Sequence, residues 1–132
     1  MLEEIPIRMG SWEVLNLIHS GKIKSGHLGL LKASMNLNDD TISFFLSINV
    51  KTYRAYKNNS VSIKEDLQEH VVMLLSLVKH GVEIFGSNDN FNKWLTTKNF
   101  QLGKKPIEYL NTINGIKLVD DRLTGIEYGD NV

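Results

Sequence analysis

The residues of this 132-residue chain that could do chemistry include four histidines, two Asp-Asp pairs and one Gly-Lys-Lys-Pro turn. No two histidines stand four residues apart around an acid, so the helical zinc motif is missing. We therefore expect ordinary surface or half-buried positions for His19, His27, His70 and His80. The adjacent acids, Asp39 with Asp40 and Asp120 with Asp121, are more typical of helix caps and solvated surfaces than of acid–base pairs.

The turn at Gly103, Lys104 and Lys105 lacks the upstream glycine and the Ser or Thr of a phosphate-binding loop, and it leads into Pro106. The serines lack the context of a nucleophile elbow. The chain has no cysteine, which excludes a disulfide, a thiolate nucleophile and a cysteine zinc site. The sequence therefore predicts a protein that is not an enzyme and that holds no metal and no cofactor.

Composition is typical of a small folded protein. Hydrophobic residues make up 42% of the chain, yet no window reaches the roughly 18 to 20 apolar residues that span a bilayer. The first ten residues do not read as a signal peptide, so we expect a cytoplasmic protein with no membrane partner. The fifteen basic and fifteen acidic residues are unevenly spread. Residues 41–64 carry no acid, whereas acids outnumber bases by four to two in residues 116–132, which suggests two surfaces with different partners.

Apolar residues recur at helical spacing along most of the chain, so we predict an all-α fold, a small helical bundle. Expected caps are Ser11, Asn38, Asn49, Ser87, and Ser62 in a capping box with Glu65. In the first helix, Trp12, Leu15 and Ile18 share the expected inward face. The longest apolar stripe comprises Leu67, Val71, Leu74, Val78, Val82 and Phe85, widened by Val72 and Leu75. That is more apolar surface than a small bundle easily covers, so we expect a homodimer or higher oligomer that uses this stripe.

Residues 41–57 are arranged like a helix-turn-helix, with two short helices joined by residues 46–49. The second helix would face DNA with Asn49, Val50, Lys51, Thr52, Arg54 and Lys57. Tyr53 would face inward, and the Tyr56 hydroxyl could donate to a phosphate. A plain helical hairpin explains the same pattern equally well.

An ordered set of residues follows in the C-terminal half. It comprises Phe85, Gly86, Trp94, Leu95, Asn99, Leu102, Gly103, Pro106, Leu110, Gly115, Val119, Leu123, Ile126 and Gly129. With this set, residues 81–129 resemble the toxin-binding domain of Xre/MbcA/ParS-type antitoxins. That family also carries an Xre-like helix-turn-helix upstream, where the pattern of residues 41–57 lies. We therefore predict N-terminal helices with this motif over residues 1–62, and a long connecting helix with the toxin-binding unit over residues 63–132.

The resemblance implies a type II antitoxin. Such proteins cover the active site of a RES-domain toxin, which consumes NAD or transfers ADP-ribose from it. They also tend to dimerise and to repress their own operon, so operator DNA becomes a second expected partner. Val50, Ala55 and Tyr56 occupy positions that are often basic in the family, and Ser47 replaces a usual glycine. The alternative is a stand-alone helix-turn-helix transcriptional regulator whose C-terminal unit only dimerises.

The resemblance also implies which residues meet the toxin. The candidates are Trp94, Asn99, Leu102, Gly103, Arg122, Glu127, Tyr128, Gly129 and Asp130. Trp94 is expected to be mainly scaffold. A cleft that binds a dinucleotide pyrophosphate needs positive groups. The acidic tail, residues 126–132, is therefore expected to act as an anionic plug, with Tyr128 as its aromatic anchor.

Overall fold

The computed structural model describes residues 5–7 and 10–129. Within these residues the fold is all-α, a small helical bundle without strands, as predicted. A 3-10 helix, Pro106–Tyr109, lies between the last two α-helices. The α-helices are α1 (Ser11–His19), α2 (Ser25–Ser34), α3 (Asp39–Phe45), α4 (Val50–Lys57), α5 (Glu65–Phe85), α6 (Asn88–Leu95) and α7 (Ile113–Glu127).

Side-chain caps begin several of these helices. Asn38, Asn49 and Ser87 each accept a hydrogen bond from the backbone N–H three residues on, as the sequence predicted. The prediction of a capping box formed by Ser62 and Glu65 was wrong. Helix α5 begins only at Glu65, after Lys64, so the Ser62 hydroxyl lies outside the cap position.

Helix α5 is the central element, and it packs against α1, α2, α6 and α7. Both apolar sides of α5 are buried. Val71, Leu74 and Val78 are almost fully enclosed, and so are Val72 and Leu75. The chain therefore covers the predicted stripe itself. Because four helices pack on α5, most of this stripe is not accessible to a partner, and the expectation that it forms a dimer interface was wrong. The homodimer itself stays a prediction.

The inward face of α1 also differs from the prediction. Val14 and Ile18 are buried, whereas Trp12 and Leu15 are exposed. Residues four apart lie on one side of a helix, and the side that meets α5 is that of Val14 and Ile18. The spacing of Trp12, Leu15 and Ile18 therefore predicted the inward face correctly only at Ile18.

One apolar core runs through the whole bundle. It joins Leu31 of α2 and Tyr53 of α4 to Leu74 of α5 and Leu123 of α7. The core is therefore continuous across the predicted division between residues 62 and 63. Among the described residues, no helix combines the length and the apolar character needed to cross a membrane.

Candidate functional site

The first candidate surface is formed by α3, residues 46–49 and α4. The two helices pack on each other, and Tyr53 and Tyr56 both point into the core. The prediction for Tyr53 is confirmed. Tyr56 was expected to offer its hydroxyl to a phosphate, but its side chain is buried, because it lies three residues after Tyr53 on the same helix face.

The six DNA-contact candidates lie on the outside or at the edge of α4. Asn49 is exposed, but its Oδ1 already accepts from the Thr52 backbone N–H at 2.7 Å. Lys51 and Lys57 are exposed at opposite ends of the helix. The remaining candidates are Val50 and Thr52, which are half-buried, and Arg54, which is exposed.

Arg54 has an intramolecular partner. Its Nε lies 3.1 Å from Oδ2 of Asp39, whose other carboxylate oxygen lies 2.7 Å from Lys32 Nζ. The Lys32 hydrogen bond and then that of Arg54 lower the pKa of the Asp39 carboxyl. Arg54 therefore links α4 to the start of α3, and Lys51 and Lys57 are the basic groups that α4 directs outward.

The turn between α3 and α4 is strained at Ser47. This residue has φ of 58°, in the left-handed region that favours glycine. The Ile48 N–H donates to the Ser43 carbonyl across the turn, and the Ser47 N–H donates to the Phe44 carbonyl. The close turn therefore forms with serine in a position where glycine fits without strain.

The second candidate surface begins at the connection after α6. Asn99 is only 4% exposed, and its Oδ1 accepts from the backbone N–H groups of Gln101 and Leu102, both at 3.0 Å. The Gly103 N–H donates to the Asn99 carbonyl at 2.9 Å. The Tyr109 hydroxyl donates to the Leu102 carbonyl at 2.5 Å. These bonds make Asn99 the internal support of a closed loop, so the structure places it beneath the surface.

Gly103 is exposed at the end of that loop with φ of 82°, a left-handed conformation that permits the sharp turn toward Pro106. Leu102 is half-buried and packs against the core. Lys104 lies over the Tyr109 ring, with its Nζ 4.8 Å from the ring centroid. The Gly-Lys-Lys-Pro turn is thus a structural corner of the domain.

An aromatic cluster lies beside this loop. The ring centroids of Phe85 and Trp94 are 5.6 Å apart, and those of Phe91 and Trp94 are 6.1 Å apart. Trp94 is buried, in agreement with its expected scaffold role. A groove of about 550 Å³ opens next to the cluster, lined by Phe85, Asn90, Lys93, Trp94, Thr97, Lys98, Asn99 and Phe100. The sequence analysis missed Phe100, Lys93 and Lys98 as members of a common surface.

The histidines were expected at surface or half-buried positions, and this was wrong for three of them, since His27, His70 and His80 are buried. His80, with no exposed surface, lies between two acids of α7. Its Nδ1 is 2.7 Å from Asp120 Oδ1 and its Nε2 is 3.1 Å from Glu127 Oε1. Each ring nitrogen thus lies within hydrogen-bond distance of a different carboxyl group of α7. The sequence analysis missed this cluster because the partners lie 40 and 47 residues away.

The remaining candidates lie on α7 and after it. Arg122 is buried, whereas Glu127 is held by His80 at the last turn of the helix. Tyr128 is 75% exposed, and Gly129 follows with φ of 105°. Asp130 lies outside the described residues. The structure thus groups Glu127, Tyr128 and Gly129 at the end of α7, while Trp94, Asn99, Leu102 and Gly103 belong to the loop and groove.

Nothing in the described part of the chain forms a cluster of three or more His, Asp or Glu side chains suited to a metal ion. Comparison with known protein families indicates the class of this protein. Residues 80–129 match the model of the antitoxin Xre/MbcA/ParS C-terminal toxin-binding domain. Residues 80–129 therefore form a toxin-binding domain of the kind found in Xre/MbcA/ParS antitoxins.

The resemblance predicted from residues 81–129 is therefore confirmed, and a toxin is the partner that the antitoxin domain implies. The matched domain begins at His80, near the end of α5, and ends at Gly129. It thus contains the closed loop, the groove, the His80 cluster and the exposed end of α7. No curated protein matches the chain.

Proposed function

We propose that this antitoxin neutralises a RES-domain toxin of a type II system by covering its active site. The observation that carries the proposal is the end of the toxin-binding domain. Tyr128 is 75% exposed there, directly after Glu127, and the chain continues with Gly129 and Asp130. An exposed aromatic side chain flanked by acids suits a cleft that is built from cationic groups for a dinucleotide.

The His80 cluster supports this proposal because it determines where the tail leaves the domain. His80 holds Glu127 at the last turn of α7, only one residue before Tyr128. Because the end of α7 is held in place, the residues that follow it lose less conformational entropy when they bind the toxin. Tyr128 would enter the toxin cleft as a rigid anchor, and the acids would meet the cationic groups of the cleft.

A truncated chain tests the plug. A stop after Glu127 removes residues 128–132 and retains the carboxylate that His80 binds. We expect this chain to fold, since the apolar residues of α7 are kept, and to lose inhibition of NAD consumption by the toxin. Unchanged inhibition and full rescue of growth on co-expression would show that neutralisation runs through another surface. Tyr128→Ala and Asp130→Asn in the full chain separate the aromatic from the ionic contribution.

We also propose that the protein represses its own operon through α3 and α4. The supporting observation is the outward position of Lys51 and Lys57 on a helix that follows a tight turn. The alternative, a stand-alone regulator, makes the same DNA contacts but needs no toxin. Co-purification with the protein encoded by the adjacent reading frame, and its NAD-consuming activity, distinguish the two. A homodimer would place two copies of α4 on one operator.

A further inference from the structure

Phe100 is the most exposed large apolar side chain among the described residues, at 97%. This exposure does not come from a loose loop. The preceding residue, Asn99, is buried and its side-chain oxygen accepts from the backbone of both Gln101 and Leu102. A backbone bond from the Asn99 N–H to the Lys104 carbonyl, 3.1 Å long, closes the loop. The fold therefore displays Phe100 on an anchored support, beside the groove formed with Phe85 and Trp94.

The rim of this groove is cationic. Lys93 and Lys98 line it and are exposed, and neither forms an ion pair within the part of the chain that the structure describes. None of the eight lining residues is acidic. The sequence continues this pattern, since residues 90–107 contain four lysines and no Asp or Glu. The surface thus combines aromatic walls with uncompensated positive charge.

We infer that this groove docks an acidic segment of the toxin that carries an aromatic or aliphatic side chain. The inference rests on the proposed function, because it takes the toxin as the partner. Aromatic walls bind the apolar side chain, and Lys93 and Lys98 attract the flanking carboxylates. The groove and the tail carry opposite charge, as Glu127 and Asp130 are acidic. The cationic groove and the acidic tail together orient the toxin on the domain. In the reversed orientation, groups of like charge on the toxin and the antitoxin would face each other.

Measurements of the affinity for the toxin test whether the groove is a docking site. The probe is a catalytically inactive form of a RES-domain toxin that the full-length chain neutralises. Phe100→Ser should raise Kd at least about tenfold, because an exposed aromatic anchor is lost. Its melting temperature should stay unchanged, since the side chain makes little contact with the fold. Phe44→Ser, which removes another exposed phenylalanine outside the antitoxin domain, is the matched control.

Charge reversal tests the rim. Lys93→Glu combined with Lys98→Glu should weaken toxin binding and slow association, with a strong dependence on salt. Lys22→Glu combined with Lys64→Glu changes the net charge equally at exposed sites away from the groove and should leave the affinity unchanged. Equal effects of the two double variants would overturn the rim's role, since a general field effect would then explain the loss.

Photo-crosslinking identifies the occupant. With p-benzoylphenylalanine at position 100, we expect crosslinks to one toxin segment rich in Asp and Glu. Crosslinks mainly to a second copy of this chain or to DNA would overturn the inference. In another outcome, the Phe100 and lysine variants bind toxin with wild-type affinity while the chain that stops after Glu127 loses binding. That result would reject the groove as a docking site and leave the proposed function standing. A full-length chain that binds no toxin would reject both.

Discussion

The Nδ1 atom of His80 lies 2.7 Å from Oδ1 of Asp120, with the imidazole fully enclosed between α5 and α7. Glu127 meets the other ring nitrogen at 3.1 Å, two helical turns further along α7. One buried side chain thus binds α7 at two points on the same face. These two contacts hold the last two turns of α7 against α5.

His80→Leu should destabilise the fold by about 2 kcal/mol, because two charge-assisted hydrogen bonds are lost. The loss stays moderate since both carboxylates are partly exposed and can be hydrated. Urea unfolding measures it, and Glu83→Gln, an exposed acid of the same helix, is the control with an expected change within about 0.5 kcal/mol. A double-mutant cycle with Asp120→Asn should show coupling between the two residues; additive effects would contradict the ion pair.

His70 predicts a pH dependence of stability. Its Nε2–H donates to the Leu110 carbonyl at 3.1 Å, and burial lowers the pKa of the imidazole despite this bond. The unfolded state therefore binds a proton more readily than the folded state. The stabilisation is complete above the unfolded pKa of about 6.5, and it is lost as the pH falls from there toward the lowered folded pKa.

The free energy of unfolding, measured from pH 8 to pH 5, tests the His70 prediction. His70→Gln keeps a donor for the Leu110 carbonyl without titrating. The wild-type protein should lose more stability than this variant below about pH 6.5. Parallel curves for the two proteins would assign the pH dependence to other groups.

Gly115→Ala should destabilise the protein by about 3 kcal/mol. A Cβ at this position would overlap the Tyr109 carbonyl oxygen, and backbone atoms cannot yield easily. Gly29→Ala, in the middle of α2 with no atom within 4 Å of the added Cβ, is the control. It should stabilise by about 0.5 to 1 kcal/mol through helix propensity. Equal thermal shifts for the two variants would contradict the close approach at Gly115.

Lys51→Ala with Lys57→Ala should weaken binding to the protein's own promoter and lower the salt dependence by about two phosphate charges at most. Arg54→Ala should have a smaller effect on DNA, because Asp39 already holds its guanidinium. Toxin affinity should stay unchanged in all these variants. Promoter binding that is insensitive to salt in the wild-type protein would make α3 and α4 purely structural.

Local sequence features were enough to predict the all-α fold and the starts of three helices. Caps such as Asn38, Asn49 and Ser87 act within four residues, and apolar spacing in α5 is a local property, so both could be predicted. The toxin-binding domain was also predictable, because its motif is an ordered set of residues along the chain. The starts of α3, α4 and α6 and the toxin-binding domain therefore needed no tertiary information.

Only the tertiary structure decided which faces meet and which charges pair. The sequence pattern could not show that Val14 and Ile18, rather than Trp12, face α5, since both sides of α1 carry apolar residues. The pairing of His80 with Asp120 spans 40 residues, and no local pattern encodes such a contact. The groove around Phe100 likewise depends on the packing of α5, α6 and the following loop. Burial and ion pairing are properties of assembled neighbours, so they become visible only when the chain is folded.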